Sequence, residues 1–225
     1  MTFAIVGRCD RTGQFGLAIS SSSPAVAARC AFARAGVGAV TTQNVTNPAL
    51  GPVMLEALAQ GRPAVEAVQL AAASDPHAAY RQLLAIGAEG AGAVHSGDQA
   101  LGIFGSATGA GCASGGNLLA DAAVPQAMVD AFEASDAALG DRLIAAMEAA
   151  LALGGEAGPV HSAGMLIVDA QAWPWAELRI DWLDEGCPVA AMKRAWAVYE
   201  PQARDYVTRA LNPVAAPSYG VPGDE

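Results

Sequence analysis

MTFAIVGRCDRTGQFGLAISSSS, residues 1–23, decides how this chain is read. Thr2–Gly7 is an apolar strand-forming run. Asp10 and Gly13 in "RCDRTGQ" supply turn chemistry, and Phe15–Ser23 is a second strand. Folding the two about Arg11–Gly13 gives a β-hairpin with Thr2 roughly opposite Ser22, within a couple of residues. The serine cluster then lies beside the N-terminus. A hydroxyl-bearing residue directly after the initiator is either an ordinary strand start or a chemical device.

Outward from the hairpin, Gly36–Asn44 reads as a third strand. Asn47-Pro48 follows as N-cap and first position of a helix that stops at Gly61, and Pro63 begins another. Residues 80–97 and 100–111 carry short strands joined through glycines. Segments 124–135 and 139–155 have the apolar period of helices. Residues 164–182 return to two strands around Trp173-Pro174, and 187–213 form a helix with a break at Pro201. Hairpins separated by paired helices indicate an α+β protein, with helices packed on two stacked antiparallel sheets, rather than regular βαβ alternation. The expected organisation is one domain over residues 1–212 and an irregular tail over 213–225.

Composition removes several functions. The 225 residues are 53% hydrophobic and 15% charged, as in a well-packed globular protein. A net charge of −10 with 12 basic residues argues against nucleic acid or an anionic membrane as partner. No segment is long and apolar enough to cross a bilayer, and the start lacks the basic n-region and apolar core of a signal peptide, so a cytoplasmic protein is expected. Cys9, Cys30, Cys112 and Cys187 form no CxxC pair and read as buried free thiols. His77, His95 and His161 lack ligand spacing, so no metal and no cofactor are expected. The glycine-rich Gly105–Asn117 lacks both GK[ST] and GxGxxG, and reads as a flexible loop lining a cleft.

Chemistry returns the argument to Thr2. A hydroxyl is a poor nucleophile until a base takes its proton, and a free α-amine is a base with a reference pKa of about 7.7–8.0. Methionine removal is sterically allowed before threonine, and a mature N-terminal threonine carries nucleophile and base on one residue. Ser20 and Ser22 could orient the amine or a water, or simply form a solvated strand edge. Arg34 could favour the neutral amine, or pair on the surface. Gln43 and Asn44, at a strand-to-helix junction, could face developing negative charge or simply make a turn. Asn117 could donate to an oxyanion. His161 and Ser162, adjacent on a strand, point to opposite faces and make no dyad, which leaves Ser162 to face the cleft.

These residues carry a resemblance. "MTFAIVGR", "SSSPAVAA", "ARAGVGAVTTQNVTNPALGP", "GGNLLA" and "HSAGMLIV" together resemble an uncharacterised prokaryotic family, domain of unknown function 1028, assigned to the N-terminal nucleophile (Ntn) hydrolase superfamily. The resemblance runs from Thr2 to about Tyr199. It implies a four-layer αββα sandwich and Thr2 as the nucleophile for amide hydrolysis. The chain departs from the family at Ala4, where serine is frequent, and at Glu156–His161, which replaces a basic loop. A lysine near the nucleophile is lacking, with Arg34 the stand-in. The expected activity is hydrolysis of a small-molecule amide or acylated amino compound. The alternatives are a non-catalytic member that keeps Met1 and binds a ligand or partner, and an enzyme using Ser22 or Ser162 as nucleophile. Trp173, Trp175, Trp182 and Trp196 crowd the C-terminal quarter, where they mark either a homo-oligomer interface or the core beneath the last helix.

Overall fold

In a computed structural model, which describes residues 1–223, the chain runs β1 (Thr2–Cys9), β2 (Gln14–Ser21), α1 (Val26–Cys30), β3 (Ala31–Arg34), β4 (Gly38–Asn44), α2 (Leu50–Ala59), α3 (Ala64–Ser74), β5 (Arg81–Gly87) and β6 (Ala93–Ser96). It continues β7 (Gly105–Gly109), β8 (Cys112–Asn117), α4 (Val124–Glu133), α5 (Leu139–Ala152), β9 (Ser162–Val168), β10 (Ala176–Ile180), α6 (Pro188–Tyr199) and α7 (Ala203–Leu211). One antiparallel sheet has the order β10-β9-β2-β1-β8-β7, the other β3-β4-β5-β6.

Side-chain alternation explains the layering. On β1, Phe3 and Ile5 face Met128, Phe132, Leu143 and Met147 of α4 and α5. Ala4 and Val6 point the other way and join Leu17 and Ile19 of β2 against Ala39, Leu84 and Ile86 of the second sheet. That sheet turns Val40, Leu83 and Ala85 outward onto Met54, Leu58, Ala67 and Val68 of α2 and α3. The result is a four-layer αββα sandwich with β1 buried on both faces, which is why its sequence is a continuous apolar run rather than an alternating one. Each fully buried Leu or Ile contributes about 2 kcal/mol to this core.

Several elements differ from the sequence reading. Gly105–Asn117 is not a flexible loop: it is the β7–β8 hairpin, and all six residues of β8 are buried. Its small side chains have low strand propensity, but packing overrides it. A Cβ at Gly115 would stand 3.3 Å from Leu84 Cδ1, so glycine there lets the two sheets approach. The third strand is found as β4, but a strand the sequence reading did not include, β3, precedes it across a turn at Gly36, after the short α1. Asn47 folds an Asx turn, accepting from the Ala49 amide at 3.2 Å, and α2 starts only at Leu50. The C-terminal helix does break where expected, at Glu200–Gln202, into α6 and α7. Beyond α7 the chain folds back, with Arg209 lying over the Tyr219 ring and donating to Pro217 O. Residues 224 and 225 of the expected tail lie outside the described residues. Trp196 is buried and donates to Asp141, whereas Trp173 and Trp182 are exposed. Cys187 is half-buried and the other three cysteines are buried, all four as free thiols. Among the described residues no helix is long and apolar enough to cross a membrane.

Candidate functional site

Strand register assembles the site. Phe3 pairs with Ser20, which sets Thr2 level with Ser21 rather than Ser22. Thr2 pairs with Asn117 on its other side, and Ser21 pairs with Ser162. Residues directly opposite in an antiparallel sheet share a face. Ser162, Ser21, Thr2 and Asn117 therefore form one polar row across β9, β2, β1 and β8, on the face that meets the second sheet. The next row inward is apolar or bare: Gly164, Ile19, Ala4 and Gly115. The polar row thus closes one end of the inter-sheet core.

A second row faces it. Gln43, Gln82 and Ser96 are paired across β4, β5 and β6. The two rows are bonded through Gln82. Its Oε1 accepts from Gln43 Nε2 at 2.8 Å and from Asn117 Nδ2 at 3.2 Å, while its Nε2 donates to Ser96 Oγ and to the carbonyls of Gly105 and Gly116. Gln43 Nε2 also donates to Gly115 O at 3.1 Å. Both Gln43 amide hydrogens are spent on protein, so its side chain has none for a substrate oxyanion. Asn117 keeps one. Gln43 Oε1, Asn117 Oδ1 and the Thr41 hydroxyl are buried in this layer without a protein partner.

At the centre, Thr2 is 4% exposed. Its Oγ1 is shared between Met1 O and Ser21 Oγ, the latter at 3.5 Å, and Ser21 Oγ also donates to Met1 O. Met1 itself is 40% exposed. Ser21 Oγ accepts the Ser23 amide at 3.0 Å, so the serine run folds over the end of the strand.

Ahead of Thr2 stands a carboxylate. Glu156 forms an isolated bridge with Leu119, and both its oxygens accept from the Ser22 amide, at 3.1 and 3.2 Å. It is 3% exposed, and burial pushes its carboxyl up to about 7 against the pull of Ser22, the N-terminal amine and His161. The sequence reading named Glu156 only as part of a family departure. The available signal was an ionisable residue among small ones in "GGEAG".

The remaining candidates lie elsewhere or are occupied. Ser20 points to the helix layer and donates to Ser162 O at 2.9 Å. Ser22 contributes its amide to Glu156. Ser162 is fully buried, donates to Ser23 O at 2.6 Å and accepts from the Val26 amide; it fastens the turn after β2 instead of facing a cleft. Asn44 donates to Tyr80 O and accepts from the Leu101 amide, pinning two loops. Arg34 pairs with Gly38, at the opposite end of β4 from Gln43, and its guanidinium meets Glu56 in an exposed ion pair. It is therefore remote from Thr2. His161 stacks on Trp182 with ring centroids 4.4 Å apart, and its Nδ1 meets Leu183 O at 2.7 Å. The loop after Asn44 is held by a buried ion pair: Arg81 bonds Asp75 at 2.9 Å and the Val45 carbonyl, which holds the Asp75 carboxyl down at about 2. Among the described residues, no group of three or more His, Cys, Asp or Glu side chains could hold a metal ion.

Comparison with one solved structure agrees on the scaffold. A crystal structure of protein SPO2555 from Silicibacter pomeroyi, described with the same family, is 30% identical and superposes with a TM-score of 0.82 over 91% of this chain and 94% of that one. Anbu (ancestral beta-subunit) from Yersinia bercovieri is 13% identical over 92% of this chain and 97% of its own, with a TM-score of 0.40. An Anbu mutant from Hyphomicrobium sp. strain MC1 is 14% identical over 91% and 96%, with a TM-score of 0.42. No curated protein matches. The model of a family of unknown function, DUF1028, matches residues 2–192, and the chain belongs to that family.

Proposed function

We propose that this protein is an N-terminal nucleophile amidohydrolase with Thr2 as its nucleophile, acting on a small-molecule amide or acylated amino compound. The observation that carries this is the placement of the Thr2 hydroxyl. It lies in the polar row at one end of the inter-sheet layer, next to Ser21 Oγ, one peptide bond from the exposed Met1. Removing Met1 turns the Thr2 nitrogen into an amine and uncovers the hydroxyl.

Thr2 Oγ1 then attacks the substrate carbonyl, forming a C–O bond while its proton passes to the α-amine, directly or through water. The amine returns that proton to the departing nitrogen as the C–N bond breaks. Water hydrolyses the resulting ester by the same relay and regenerates the free threonine. Ser21 orients the hydroxyl, and the uncommitted amide hydrogen of Asn117 is the side-chain donor best placed for the oxyanion. Arg34, Gln43 and Asn44 have no part in this scheme.

The test is intact-mass measurement of the untagged protein before and after an acylating probe. The expected result is loss of Met1, one acyl adduct, and a labelling rate lowered on the order of 10³-fold or more in Thr2→Ala. Met1 retained in the native organism overturns the proposal. Retained Met1 with ligand-induced stabilisation and no adduct supports a non-catalytic binding protein instead, a reading favoured by the commitment of both Gln43 amide hydrogens to protein acceptors.

A further inference from the structure

We propose that Glu156 is the positioning residue of the Thr2 α-amine, exchanging a proton with it so that the amine is free to act as base. This rests on Thr2 being the mature N-terminus.

The geometry comes from the segments that leave β2 and β8 at the level of Thr2, where both strands end, at Ser21 and Asn117. Asn117 and Ser21 flank Thr2, and the chain leaves them through the left-handed Leu118 to Leu119 on one side and through the bend at Ser22 on the other. Glu156 pairs its backbone with Leu119 and returns its carboxylate to the Ser22 amide. Its backbone therefore pairs two residues past the Asn117 that faces Thr2. Its carboxylate holds the amide of the residue after Ser21, whose hydroxyl meets Thr2 Oγ1 at 3.5 Å. The segment is tied on both sides, by the Ala120 amide to Gly155 O at 3.0 Å and the Ala157 amide to Leu118 O at 3.0 Å. Loss of Met1 leaves the new amine on Thr2, between the Ser21–Ser22 and Asn117–Leu119 segments that hold this carboxylate.

Few other charges reach it. The titratable groups acting on Glu156 are the N-terminal amine and His161, with the Ser22 amide and hydroxyl beside them. Cys30 on α1 also feels the N-terminal amine. The β8 extension offers Leu118, Leu119 and Ala120, none of them ionisable. A buried carboxylate and an amine in that setting share one proton. Thr2–NH₃⁺ with Glu156–COO⁻ interconverts with Thr2–NH₂ and Glu156–COOH, and the neutral pair is the form in which the amine can take the Thr2 hydroxyl proton.

The experiment uses the full chain with Met1 removed, verified by mass. The rate of carbamoylation of the α-amine by cyanate is followed against pH in the parent protein, Glu156→Gln and His161→Gln. The Gln variant keeps an acceptor for the Ser22 amide, and its thermal melt checks folding. The expected profile has two titration steps in the parent and in His161→Gln. In Glu156→Gln a single step remains, displaced by about one pH unit to lower pH, which is roughly tenfold in rate below the midpoint. A purely structural role for Glu156 changes the melt and leaves the profile alone; parent and Glu156→Gln profiles that coincide overturn the proposal, as does a native chain that keeps Met1. Two-step behaviour without any acyl adduct at Thr2 upholds the proton pair and removes the hydrolase reading. An adduct with coincident profiles does the reverse.

Discussion

The two ends of β1 are built on opposite principles. At the Arg8 end the turns carry positive φ on glycine, at Gly13, Gly36, Gly90 and Gly111, where a left-handed backbone is inexpensive. Arg8 closes that end by donating to the carbonyls of Gly87 and Gly90 and pairing with Asp10. Beneath it the fit is tight: a Cβ on Gly7 would stand 2.6 Å from Phe132 Cζ. At the Thr2 end, the three non-glycine residues with positive φ in the described chain occur together, Ala25 after β2, Asn44 ending β4 and Leu118 just past β8. That end also holds the unpartnered amide oxygens and a buried carboxylate. One end is assembled for stability, and the other accepts backbone strain, desolvation and unmatched polar atoms. Costs gathered in one place, while local rules hold elsewhere, are the pattern on which the proposed site is argued.

This contrast can be broken first where stability is concentrated. Phe132→Ala removes the ring that fills the space under Gly7 and carries Arg142 over its face. It should cost about 4 kcal/mol in denaturant unfolding. The rate of probe acylation at Thr2, measured below the lowered melting temperature, should stay within twofold. A large fall in that rate in a folded protein would show that the two ends are coupled and that the division drawn here is wrong.

The sequence foretold the stable end far better than the strained one. Hairpin β1–β2, the paired helices and the αββα layering all follow from apolar period and turn residues, because these elements obey local rules. The site was legible in parts. Thr2, Gln43, Asn117 and Ser162 do fall in or beside the two facing rows, since each is a polar residue in a buried strand. Ser21 rather than Ser22 stands opposite Thr2 because hairpin register is set by loop length, and the loop is the four residues Asp10–Gly13 between the paired Cys9 and Gln14. Gln82, the bond between the rows, and Glu156 depend on pairings between distant segments, β5 with β8 and residue 156 with Leu119, which no local pattern encodes. Arg34 was misplaced because it lies beside the start of β4, at Gly38, while the end of that strand at Gln43 is the one that meets Gln82 and, through it, Asn117.

A smaller effect sharpens the comparison from the strained side. Glu156 titrates at about 7 in the fold against an ordinary 4.5, so between those values the folded protein binds the extra proton. Stability from this group is therefore fully present below about pH 4.5 and falls as pH rises through 7. Glu156→Gln removes the charged form and should gain up to about 3 kcal/mol above pH 7, offset in part by a weaker bond to the Ser22 amide, and nothing near pH 4. Unfolding curves for the two proteins at pH 4, 6 and 8 should diverge in that order. Parallel curves would mean the carboxylate is better solvated than its burial implies.

The smallest effect is the most local. Ala25 holds φ 51 and ψ 44 with its Cβ in the disfavoured left-handed geometry, and its amide is bonded to Asp181 O at 2.8 Å. Ala25→Gly relieves the strain while adding freedom to the unfolded chain, so the net gain should be no more than about 1 kcal/mol. What matters is the sign. At Gly13, where φ is 76 and a Cβ meets nothing within 4 Å, Gly→Ala pays the same conformational penalty in reverse and should lose about 1 kcal/mol with no steric contribution. Opposite signs from mirror-image substitutions at the two ends of one hairpin would show that the N-terminal end holds its backbone against preference. Equal signs would mean that the serine turn is relaxed and that the polar rows alone distinguish the site.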